Sequence, residues 1–158
     1  EIVENLENGN LPLEKSVELY EKGLKFSENA KKDLEVLGQA VEDIVNTAYE
    51  VFDKQDMKLA EKIEPLEEVI DILNKTVKKH HMKRLRKGKC TIELGLVLSD
   101  LAMNYERVSD HCSNIAVEML TIYDNKYNTH EYFENFTTEE RKRFQEEYNE
   151  LISKYVLK

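Results

Sequence analysis

The sequence predicts an all-α protein: an up-down-up bundle of three long helices with an additional C-terminal helix. Three observations carry this. Gly (5) and Pro (2) are scarce among the 158 residues, and an all-β chain needs a turn signal every ~8–12 residues. Apolar residues supply 41% of the chain, enough for a core, and charged residues 35%, which suits exposed helix faces. Apolar positions recur at alternating three- and four-residue steps over long stretches, the period of a helix packed on helices.

Residues 1–8 read as the tail of a helix, and Gly9-Asn10 as a turn. Pro12 suits the first turn of the next helix, where its missing N–H does no harm. That helix is expected near 12–53, but its register changes on the way. Val17, Tyr20 and Leu24 form one stripe; Leu34, Leu37, Val41, Ile44, Ala48 and Val51 form another. Ser27 and Lys31 interrupt them, which places a boundary near residues 30–34. Leu19, Leu24 and Phe26 would be exposed on a helix projecting from the bundle, and this favours a homo-oligomer.

Asp53–Asp56 is a short polar connection. A second helix is expected near 56–86, with Leu59, Ile63, Leu66, Ile70, Leu73 and Val77 as its stripe, a bend at 61–65 caused by Pro65, and Gly88 as its stop. Thr91 can cap a third helix near 91–124. Its stripe is Leu94, Leu98, Leu101, Tyr105, Val108, Cys112, Ile115, Met119 and Ile122. Residues 124–136 read as a polar, aromatic loop. Thr137 and Glu140 make a capping box for a last helix near 138–155, with Phe144, Tyr148, Leu151 and Tyr155 lying along the outside of the bundle.

The net charge of −9 disfavours direct nucleic-acid binding. No apolar run approaches the ~18 residues that span a bilayer, and no signal peptide opens the chain. The start at Glu1 reads as a fragment of a longer chain. Cys90 and Cys112 fit neither a disulfide framework nor a C-x-x-C metal spacing, which points to a reducing, cytoplasmic compartment.

No Gly-rich phosphate loop, nucleophile elbow or H-E-x-x-H motif is present, so no catalytic residue is assigned and an enzyme is not expected. A metal-dependent hydrolase is disfavoured, because no base, nucleophile or water-activating arrangement stands out beyond carboxylates. His111 and Cys112 are adjacent, so they diverge on a helix, and Cys112 reads as an inert core thiol.

The carboxylates are more informative. Glu106 and Asp110 stand i and i+4 on the third helix, off its apolar stripe. Two like charges there cost ~0.2–0.5 kcal/mol, and a bound hard cation would reverse that sign. A solvated acidic face is the plain alternative. Glu67 and Asp71 repeat the spacing on the second helix, so the two pairs can converge on one metal, and Asp43 and Glu50 could add oxygens. Residues 78–89 hold seven Lys/Arg, with His80 and His81 and no acid. Cations favour a helix C-terminus; the sharper reading is contact with phosphate or lipid headgroups.

The run Glu106-Arg107-Val108-Ser109-Asp110-His111-Cys112-Ser113-Asn114-Ile115-Ala116 resembles the E-R-x-x-D-H-x-x-N-I-A motif of PhoU domains. Residues 33–158 as a whole resemble the PhoU-like domain of bacterial sodium/phosphate cotransporters. The resemblance implies a PhoU-like bundle at the cytosolic face of the cell membrane, regulating a phosphate transporter that is part of the same full-length chain. It also implies iron or zinc on E/D-x-x-x-D motifs, carried here by Glu106 and Asp110 and less firmly by Glu67 and Asp71. The chain departs from stand-alone PhoU proteins in carrying one such repeat rather than two. Residues 1–32, with Leu6-Glu7-Asn8-Gly9-Asn10-Leu11-Pro12-Leu13-Glu14-Lys15-Ser16 and Leu19-Tyr20-Glu21-Lys22-Gly23, resemble the small subunit of exonuclease VII. That implies an N-terminal helical-hairpin extension, a natural or engineered fusion, and an alternative role as accessory subunit to a large nuclease chain.

Overall fold

The computed structural model describes residues 28–124 and 136–157. They form α1 (Glu28–Lys54), α2 (Met57–Ala60), α3 (Ile63–Arg86), α4 (Ile92–Asp124) and α5 (Thr138–Lys154), with no strand among the described residues. The three long helices α1, α3 and α4 each pack on the other two. The expectations for residues 1–27, including the hairpin and the exposure of Leu19, Leu24 and Phe26, lie outside the described residues, as does the loop at 125–135.

Local chemistry sets the boundaries. Gln55 takes a positive φ of 53° after α1. Asp56 caps α2, its carboxylate accepting from the N–H groups of Lys58 (3.0 Å) and Leu59 (3.1 Å). The expected single bent helix over 56–86 is two helices, because α2 ends at Ala60 and α3 restarts at Ile63. Pro65 then falls in the first turn of α3, where its missing N–H leaves no intrahelical bond unmade; in a continuous helix its ring would meet the carbonyl of Glu61. Gly88, at φ +65°, ends α3. Its N–H bonds the Leu85 carbonyl at 3.0 Å, and that of Lys89 bonds the Arg84 carbonyl at 2.9 Å, a Schellman closure. Thr91 Oγ1 accepts from the Leu94 N–H at 3.3 Å, and the Thr137–Glu140 capping box is complete.

The α1 and α3 stripes lie in the core: Leu37, Ile44, Val51, Ile63, Ile70 and Val77 are fully buried. The α4 stripe holds in part: in its second half Val108, Cys112 and Met119 lie in or against the core. Leu98 and Leu101 are buried, but beyond Tyr105 the buried line runs through Ser109, Cys112, Ala116 and Leu120. Ile115 (43% exposed) and Ile122 (69%) are left outside. An α-helix drifts ~20° per heptad against a strict seven-residue repeat, so a seam counted in heptads rotates out of the core.

The bundle presents three grooves, each dressed differently. The α1/α3 groove is covered by α5, where Tyr155 is buried and Tyr148 and Leu151 pack on the core. Lys154 pairs with Asp43 at 2.7 Å, Lys62 with Glu147 at 3.1 Å and Arg143 with Glu61 at 3.4 Å. The α3/α4 groove is acidic. The α1/α4 groove is apolar and open, lined by Val45, Tyr49, Phe52, Ile115, Met119 and Ile122.

Candidate functional site

The acidic α3/α4 groove brings the two predicted carboxylate pairs together. Glu67 and Asp71 follow one another by a helical turn on α3, and Glu106 and Asp110 do so on α4. Because α3 and α4 are packed neighbours, the four carboxyl groups feel one another across the groove. Burial, followed by the charges of Glu64, Asp71, Glu68 and Asp110, pushes the Glu67 pKa up to about 7. Burial and the charges of Glu106 and Asp71 also raise Asp110, opposed by His111 and by a hydrogen bond from Glu67. At neutral pH the Glu67 carboxyl is therefore partly protonated and donates to the Asp110 carboxylate.

The other two carboxylates have cations. Lys75 reaches Asp71 at 2.8 Å, and Lys78 reaches Glu106 across the groove at 3.3 Å. Below them Glu64 is 4% exposed and accepts a hydrogen bond from the Ser113 hydroxyl. Burial raises its pKa against that hydrogen bond. Glu64 belongs to no motif; its one signal in the sequence is its place one helical turn before Glu67 on the acidic α3 face.

The donor set is all oxygen, which fits a hard or borderline cation. Among the described residues no group of three or more His, Cys, Asp or Glu side chains stands arranged to hold a metal ion. A cation here would meet a site that is electrostatically strained and not closed into a cage. The residues that could hold one are Glu67, Asp71, Glu106 and Asp110.

Asp43 and Glu50 do not join this groove. Asp43 faces α5, bonded by Lys154, by Gln39 at 3.0 Å and by the Tyr155 hydroxyl. Burial alone would raise its pKa, but these hydrogen bonds outweigh it and hold the carboxyl low. Glu50 pairs with Lys54 at 2.8 Å within α1. Cys112 is buried, and burial raises its thiol pKa, as an inert core cysteine requires; His111 is exposed beside it.

The end of α3 holds two clusters that the sequence reading missed. Asp33, 3% exposed, accepts from Arg84 Nη1 at 2.9 Å and lies 3.0 Å from His80 Nδ1. His81 is buried, with Nδ1 3.6 Å from Cys90 Sγ. His80 and His81 do diverge, one toward α1 and one toward α4.

The PhoU domain family matches residues 34–119, just over half of the chain. The exonuclease VII small subunit family matches residues 1–43, so both families claim residues 34–43 on α1. The chain is 32% identical over 113 residues to the phosphate-specific transport system accessory protein PhoU homolog 1 of Thermotoga maritima, covering 72% of this chain and 48% of that protein. It is 40% identical over 42 residues to the exodeoxyribonuclease 7 small subunit of Methylococcus capsulatus, covering 27% of this chain and 55% of that one. The chain thus spans about half the length of the curated relatives it matches. No solved structure matches it.

Proposed function

We infer that this chain, which belongs to the PhoU domain family, is a non-catalytic regulatory module of phosphate transport. One observation carries the reading: the residues of the PhoU-like motif, Glu106 and Asp110, lie in a groove with Glu67 and Asp71, where Glu67 is held near neutrality. A regulator needs a site whose charge state responds to its surroundings. A carboxyl that titrates near pH 7 beside three others meets that need for a proton or a cation. In this reading iron or zinc, the metals the resemblance implies, bind at Glu67 and Asp110, with Asp71 and Glu106 completing the oxygen set. The partner is a phosphate transporter in the cell membrane, sodium-dependent by the finer form of the resemblance, with the chain at its cytosolic face. A second copy of the chain occupies the open α1/α4 groove, where Tyr49, Phe52, Ile115 and Ile122 stand exposed side by side.

The test is phosphate uptake in cells from which the chain has been deleted. Reintroduced wild-type chain restores regulated uptake, and the Glu67→Gln plus Asp110→Asn variant, expressed at the same level, does not. Equal restoration by both would overturn the role of the groove.

A second reading rests on residues 1–43, the exonuclease VII small subunit match. It predicts stoichiometric co-purification with an exonuclease VII large subunit. Failure of the two chains to associate would remove it.

A further inference from the structure

The structure sorts the cations of residues 78–89 into two groups. Lys78 and Arg84 are committed to Glu106 and Asp33, and His80 and His81 to Asp33 and Cys90. Lys79, Lys83, Arg86, Lys87 and Lys89 are exposed, and no ion pair joins them to any described residue. Lys79, Lys83 and Arg86 recur at i, i+4 and i+7, so they share one face of α3. Lys87 and Lys89 flank Gly88 in the turn that follows.

Apolar side chains stand among them. Met82 is 48% exposed on the same α3 face. Ile92 (68% exposed) and Leu96 (45%) project from the first two turns of α4. The two helices are held side by side here, because a Cβ at Gly95 of α4 would lie 2.6 Å from His81 Nε2 of α3. Of the carboxylates at this end, Asp33 is taken up by Arg84 and His80, and Glu93 is hydrogen-bonded to its own backbone N–H and to Thr91.

We propose that this end of the bundle, from Lys79 to Leu96, is a docking surface for an anionic membrane. The charge pattern selects this occupant. The chain carries a net charge of −9, so an anionic bilayer repels it everywhere except where cations stand unpaired. Five exposed cations on the same end of the bundle as exposed Met, Ile and Leu match headgroups above and acyl chains below. The committed pairs Arg84–Asp33 and His81–Cys90 brace the end from within and leave its outer face free. The proposal rests on the regulatory reading only for a reason to be near a membrane, and its test contains no transporter. Its failure therefore leaves that reading standing.

The test is co-flotation of the full chain with vesicles of phosphatidylcholine alone or with about 30% phosphatidylserine, at ~0.1 M salt. Binding to the anionic vesicles and not to the neutral ones is expected, with loss at ~0.5 M salt. Each cation removed should weaken partitioning about fivefold, so Lys83→Gln plus Lys87→Gln costs about 25-fold. Ile92→Ser plus Leu96→Ser should also weaken binding, while circular dichroism stays unchanged because both side chains are exposed. Inorganic phosphate, added at constant ionic strength, should not compete. No binding to anionic vesicles, equal binding to neutral ones, indifference to the lysine pair, or displacement by free phosphate would each overturn the proposal, the last by making the surface a site for free anions.

Discussion

Asp33 on α1 and Arg84 on α3 form a buried ion pair, Nη1 to Oδ2 at 2.9 Å, with side chains 3% and 12% exposed. It clamps the start of α1 to the end of α3. Removing one partner leaves the other charge buried, which costs about 3–5 kcal/mol. Asp33→Ala should therefore lower the urea midpoint far more than Lys154→Ala, whose pair with Asp43 is half-exposed and worth at most about 1 kcal/mol. Equal midpoints would show that water reaches Arg84 in solution.

Stability should fall as pH rises from about 4.5 to about 7. Glu67 moves from its ordinary value of 4.5 to about 7 in the fold. Between those values the unfolded chain releases the proton and the folded chain keeps it, so ionisation favours unfolding. Below 4.5 both states are protonated and the penalty is absent; above 7 it is complete. Glu64 and Asp110 are raised too and act in the same direction, whereas Asp43 is lowered and loses its contribution only in strong acid. Glu67→Gln should raise the melting temperature at pH 7.5 and flatten its pH dependence. A melting temperature that rises with pH across this window, in the wild-type chain, would contradict the assignment.

The metal reading has its own measurement. Glu106→Gln plus Asp110→Asn keeps side-chain size and removes both charges. Iron or zinc co-purifying with the chain, followed by elemental analysis, should drop to background in this variant while its helix content is unchanged. Acidification should release the metal from the wild type, since protonated carboxylates are poor ligands. Equal metal in both proteins would leave the groove a proton site only.

Two glycines should respond oppositely to alanine. A Cβ at Gly38 meets only the Tyr105 hydroxyl at 3.7 Å, and Gly inside a helix costs about 0.5–1 kcal/mol relative to Ala. Gly38→Ala should stabilise by about that amount. At Gly95 the Cβ would press on His81 Nε2 at 2.6 Å, and overpacking costs about 1–3 kcal/mol. Gly95→Ala should destabilise, and His81→Ala should relieve part of that loss in a double-mutant cycle.

The open α1/α4 groove should make the chain self-associate. Sedimentation velocity is expected to show a coefficient that rises with concentration. Phe52→Asp plus Ile122→Asp, at side chains 67% and 69% exposed, should hold the protein monomeric without unfolding it. Concentration-independent sedimentation of the wild type would refute this.

Much of the fold was legible because it is local. Thr137, Gly88 and Thr91 act on backbone groups within a few residues, and the α1 and α3 stripes follow from helical periodicity alone. The convergence of Glu67 with Asp110 was legible at one remove, from two i, i+4 pairs on neighbouring helices. What escaped was long-range. Asp33 sits in a polar stretch behind Lys31 and Lys32, and nothing near it announces that it is buried against Arg84, fifty-one residues on. Asp43 was read as a groove ligand because heptad position does not say which of two grooves a helix face meets. Ile115 and Ile122 were read as core because a seven-residue count ignores the rotation of a straight helix.

That rotation has a practical consequence for anyone following the unfolding of this chain with a fluorescent dye. Reporters of the naphthalene-sulfonate type brighten on contact with apolar surface, and are chosen because native proteins ordinarily hide it. Here the native state offers Tyr49, Phe52, Ile115 and Ile122 side by side before any heat is applied. The baseline will be bright, the apparent transition shallow, and a partner seated in the groove will register as quenching. The backbone ellipticity at 222 nm is blind to the groove and is the signal to trust.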